Sequence, residues 1–157
     1  MAVFVPVTPA AAVELRASGA TGDLVGYADG PALRRWLGDS RLDDEEVDYV
    51  ALNHAGVAAL LLDSASPTRL VLAVDSELTG ADELGRVSLP QVRWADVRSL
   101  FADDAAADEA VGEVRAAVQG LELAAALDEP AVDRFQAAHD LLWYAPEELD
   151  ALVARPR

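Results

Sequence analysis

Three times in this chain a short apolar run passes through a proline into an amphipathic stretch. Residues 3–7 run into Thr8-Pro9, residues 24–28 into Asp29-Gly30-Pro31, and Leu141-Leu142-Trp143-Tyr144 into Ala145-Pro146. Proline has no N–H to lose in a first helical turn and its φ is already helical, so each unit reads as a strand feeding a helix. The first of these helices is expected over residues 10–17, stopped at Ser18-Gly19; the second over residues 32–37, stopped at Gly38; the third from Pro146 onward. Generic capping accounts for the recurrence, and no internal repeat is inferred from it.

Between these units lies the longest helical pattern, residues 43–64. Its apolar positions Val47, Val50, Ala51, Ala55, Ala58, Leu61 and Leu62 keep helical spacing. Four carboxylates, Asp43-Asp44-Glu45-Glu46, open it, as the positive end of a helix dipole favours. Residues 69–74 form a short, almost continuous apolar run, which suits a strand buried on both faces. Residues 75–85 read as a loop. Strand-like stretches follow at 87–89 and 92–101, interrupted by Pro90 and bent at Ala95-Asp96. Helices are expected over 106–119, over 121–127 after Gly120, and from Pro130 through Ala138. The fold class is therefore α/β or α+β: one acidic globular domain over residues 1–157, with a four- to five-stranded mixed sheet covered by helices.

The chain carries 28 Asp and Glu against 12 basic residues, all of them Arg. Twelve scattered arginines make no basic face for phosphate neutralisation, so nucleic acids and anionic membranes are not expected partners. The excess acid serves solubility, a basic protein partner, or imitation of a phosphate backbone. There is no cysteine, hence no disulfide, thiolate metal site or thiol nucleophile. The opening residues have no basic segment before a long apolar run, and no stretch reaches the roughly 18 to 20 apolar residues of a membrane span; a cytoplasmic protein is expected.

Signatures of chemistry are missing. No Gly-x-Ser-x-Gly elbow, phosphate-binding glycine loop or dinucleotide fingerprint occurs. Without lysine there is neither a P-loop amine nor a Schiff base. The carboxylate runs Asp43 to Glu46, Asp103-Asp104 and Asp108-Glu109 lack calcium-loop spacing and read as solvated helix starts. No cofactor or metal is expected.

Two histidines remain. His54 lies on the apolar stripe of the long helix and reads as a hydrogen-bonded core residue. His139, beside Asp140 at the start of the last strand, is a catalytic candidate with that aspartate. The aromatic residues carry more: Trp36 follows Arg34-Arg35, and Trp143 and Tyr144 are adjacent. On a strand these two point to opposite faces, so one enters the core while the other meets solvent or a partner. Trp143, Tyr144 and Trp36 are the partner-binding candidates, since Trp, Tyr and Arg dominate interface energetics.

The segments Met1 to Thr8, Arg69 to Asp75 and His139-Asp140-Leu141-Leu142-Trp143-Tyr144-Ala145-Pro146-Glu147-Glu148-Leu149 resemble a family of small uncharacterised actinobacterial proteins, the C-terminal segment being the most specific. The resemblance runs end to end and implies an actinobacterial origin and a single domain, but no activity or site residue. The leading expectation is a non-enzymatic interaction or regulatory domain that binds another protein or itself. The alternatives are an enzyme of unrecognised type with a polar site near His139 and Asp140, and an acidic nucleic-acid mimic.

Overall fold

The computed structural model describes residues 1–77 and 80–154; positions 78 and 79 of the expected 75–85 loop, and 155–157 at the C-terminus, lie outside the described residues. Strand β1, Ala2–Val7, leads through Thr8 into α1, Pro9–Ser18. The Thr8 hydroxyl accepts the Ala11 amide, and the chain leaves α1 through Gly19, whose N–H returns to the Leu15 carbonyl. Strand β2, Ala20–Tyr27, is followed by α2, Pro31–Leu37, and α3, Asp44–Leu60. Asp43 and Glu46 close a reciprocal capping box at the start of α3, with bonds of 2.9 and 2.8 Å. The helix stops short of the expected Ser64, because Leu61 and Leu62 bond to the carbonyls of Ala58 and Ala59 and tighten the last turn.

The second half comprises β3, Leu70–Asp75; β4, Arg86–Arg93; and β5, Val97–Ala102. Helices α4, Asp108–Val118, α5, Leu123–Leu127, and α6, Pro130–Ala138, come next. Strand β6, Leu142–Tyr144, and α7, Leu149–Val153, end the described chain.

The strands form one sheet in the order β4-β2-β1-β3-β5-β6, and every pairing is antiparallel. This corrects the expectation of a four- to five-stranded mixed sheet: the fold is α+β with six antiparallel strands. The apolar runs at β1 and β3 resemble those of parallel strands because helices cover both faces of the sheet, and burial on both faces leaves the same composition in either direction. Pro90 does not interrupt β4. It sits inside an edge strand, where a missing ladder donor is tolerated, and the break falls instead at the 3-10 turn Trp94–Asp96.

Period-two alternation sorts the strand residues between two cores. Val3, Val5, Leu70, Leu72, Val87, Leu89 and Leu100 pack with Ala12 and Leu15 of α1 and Leu149 and Leu152 of α7. Phe4, Tyr27, Val71 and Ala73 pack with Leu33 of α2 and Val47, Ala51 and Ala55 of α3. A third cluster joins Val57 and Leu60 of α3 to Val111 and Val114 of α4 and Val132 and Phe135 of α6. Gly26 makes the first core possible. A Cβ there would lie 2.4 Å from Val3 Cγ1 and 3.0 Å from Leu89 Cδ1, so only glycine lets these side chains meet across β2. No described helix is long and apolar enough to cross a membrane.

Candidate functional site

Strand β6 is one edge of the sheet; it leaves Leu142 and Trp143 exposed and Tyr144 half-buried. Tyr144 pairs with Leu100 and turns toward the first core, where it packs half-buried. Trp143 pairs with Phe101 and is 62% exposed, the most exposed large apolar side chain among the described residues; Leu142 beside it is 41% exposed. The expectation of one inward and one outward aromatic therefore describes this strand, and Trp143 is the outward one.

The segment that leads into β6 is fastened from beneath. Arg69, at the start of β3, is buried against Asp103: its backbone N–H and Nε reach Oδ2 at 3.1 and 2.9 Å, and Nη2 reaches Oδ1 at 2.8 Å. The same Nη2 donates to the His139 carbonyl at 3.2 Å, and the guanidinium sits 4.5 Å from the centre of the Phe135 ring. A planar guanidinium with five donors can serve a carboxylate, a carbonyl and an aromatic face at once, which a lysine could not. One buried side chain thus ties β3, the strand end after β5, and the exit of α6 together. Sequence reasoning placed Arg69 at the start of a strand and missed this role; an arginine at the mouth of an apolar run, with Asp103 closing a second run, is the only signal available.

His139 and Asp140 are adjacent in the chain and diverge in space. The imidazole lies on Phe135, with ring centres 5.3 Å apart, whereas Asp140 accepts a 3.3 Å bond from the Tyr49 hydroxyl of α3. No hydrogen bond links the two side chains, so they do not form an acid-base pair in this arrangement. Tyr49 is itself 54% exposed. Its position on the polar side of α3 concealed it in the sequence.

Trp36 projects from α2, 48% exposed, and packs edge-on against His54 with ring centres 5.4 Å apart. His54 is buried, and its Nδ1 donates to the Leu84 carbonyl at 2.8 Å. Burial holds its pKa below the ordinary imidazole value, against the weaker upward pull of that bond and of Asp82. Trp36 is thus tied into its own layer and stands on a different element from Trp143.

Many of the carboxylates that dominate the composition are engaged locally. Asp29 and Asp44 hold Arg34, Asp75 holds Arg98, Asp150 holds Arg16, and Asp82 and Asp104 accept backbone amides in turns. Among the described residues no group of three or more histidine or acidic side chains is placed to hold a metal ion.

No curated protein and no solved structure matches the chain. A family model does, over residues 1–153, which takes in all six strands, the Arg69-Asp103 pair and the Trp143 edge. The chain accordingly belongs to DUF6912, a family of unknown function.

Proposed function

We propose that this protein is a binding domain that receives a protein partner along the β6 edge of its sheet, with Trp143 as the anchor. The observation that carries the reading is the position of Trp143: a large aromatic, mostly exposed, on a strand whose outer side pairs with no further strand among the described residues. Such a strand offers main-chain hydrogen bonds to an incoming extended segment, and alternate side chains supply the apolar contact. Tyr144 packed half-buried against the core and Arg69 on the His139 carbonyl fix the strand in place, so less freedom is lost when a partner docks. The net charge of −16 favours a partner whose docking segment is basic. Trp36 belongs to a second, smaller aromatic exposure on α2.

The test is site-specific crosslinking in the native host. A benzoylphenylalanine placed at Trp143 should yield one discrete adduct, and the same group at Ser88, exposed on the opposite edge strand, should not. No adduct from position 143, or the same adduct from both positions, removes the proposal. An adduct at twice the mass of the chain identifies the partner as a second copy.

A further inference from the structure

A cleft away from Trp143 lies between β2 and the C-terminal end of α3 and α5. It encloses about 550 Å³, and Val25, Leu61, Leu62, Leu84 and Leu123 supply apolar walls. That volume and lining fall within the range of small-molecule sites, which are mostly apolar with a few placed polar groups.

The hydrogen-bond donors here are Tyr27 and Arg86, which face each other in the β2-β4 register. The Tyr27 ring is buried, yet its hydroxyl has no hydrogen-bond partner among the described residues. Arg86 is exposed along the cleft wall. In a chain so rich in acid, only Arg35, Arg86 and Arg134 among the described arginines have a guanidinium without a carboxylate or carbonyl partner. Asp82, which also lines the cleft, accepts the backbone amides of Leu84 and Arg86 through Oδ1, at 2.9 Å each.

We propose that this cleft binds a small apolar monocarboxylate, its carboxylate held by the Arg86 guanidinium and the Tyr27 hydroxyl and its hydrocarbon body laid against Leu61, Leu62 and Leu123. Two uncommitted donors at one end of an apolar cleft call for an acceptor, and a guanidinium with a hydroxyl matches a carboxylate. Electrostatics agree in sign. Burial raises the Tyr27 pKa, and of the two charges that act on the hydroxyl, Arg86 outweighs Asp82. Asp23, Asp82 and Glu122 also line the cleft and, with the strong net negative charge, disfavour phosphates and other multiply charged anions. A single charge, screened beyond about 8 Å at physiological salt, leaves binding to apolar burial and the local donors.

The test is an amide-resolved NMR titration of the whole chain with octanoate and 4-phenylbutyrate, and with octylamine as the cation of matched tail. Octanoate or phenylbutyrate should give saturable shifts at Val25, Leu61 and Leu123, and octylamine should not. Arg86→Gln, an exposed change, should weaken binding about tenfold, the scale of one lost charge-assisted bond; Tyr27→Phe should weaken it by less. Absence of saturable shifts with both acids, equal shifts with octylamine, or affinity unchanged in Arg86→Gln would each overturn the proposal.

Discussion

Arg69 and Asp103 form a two-pronged ion pair with both side chains shut away from water, at 2% and 0% exposure. Taking either partner away leaves a buried charge with nothing to answer it. Asp103→Ala is therefore expected to destabilise the fold by about 3–5 kcal/mol, whereas Arg69→Met combined with Asp103→Leu should cost less than the single change. Urea denaturation of the three proteins at one pH decides this; a double variant worse than Asp103→Ala would show that the arginine contributes mainly through His139 and Phe135.

Gly26 makes a second, purely steric prediction. The Cβ of alanine would overlap Val3 and Leu89, so Gly26→Ala should cost about 1–3 kcal/mol despite alanine's better intrinsic propensity. Pairing it with Val3→Ala, which clears the nearest atom, should recover part of the loss in the same denaturation measurement.

His54 links stability to pH. Its imidazole is held neutral in the fold, so as pH falls through about 6.5 the unfolded chain takes up the proton first and stability declines, until the folded imidazole protonates as well. Asp48 works in the opposite sense and at lower pH, because burial and its neighbours Asp29 and Asp44 raise its pKa and favour protonation in the folded state. Melting temperatures measured between about pH 7.5 and 5.5, the window around the ordinary histidine value, should fall more steeply in the wild type than in His54→Gln. Parallel slopes would show that His54 does not govern this range.

Trp143 and Tyr144 should separate stability from recognition. Trp143→Ala is expected to change stability by less than about 0.5 kcal/mol, as befits an exposed position. Tyr144→Ala removes a half-buried ring from the first core and should cost about 1–2 kcal/mol. Calorimetry on both variants checks the contrast, and a large loss in Trp143→Ala would place that ring in the fold rather than at an interface.

What could be foreseen follows the range of the forces involved. The cap at Thr8, the acidic start of α3 at Asp43, the burial of His54 and the opposite facing of Trp143 and Tyr144 each depend on neighbours within one or two turns of chain and were readable from local pattern; which of the two aromatics faces outward was not. Strand β2 was underestimated: the expected run starts at residue 24, yet residues 20–22 pair with residues 91–93 about seventy positions away. Strand count and direction were lost for the same reason, since a partner's identity leaves no mark on the strand that accepts it. The arginine and aspartate at positions 69 and 103 look like ordinary polar punctuation until folding brings them into contact. Tyr49 escaped notice because exposure on a helix carries no periodic signal.

The placement of β1 has its own consequence. It is the earliest strand in the chain, yet it ends up flanked by β2 and β3 near the middle of the sheet. Its β3 neighbour begins more than sixty residues later, so the ribosome must deliver that intervening stretch before Val3 and Val5 can be enclosed on that side. Until then an apolar segment stands open along one flank, vulnerable to association with other nascent chains, and closing so long a loop sets a slow step in assembly. Fusions or crowded synthesis that delay the arrival of residues 70–75 should therefore lower the yield of native protein without altering its final stability.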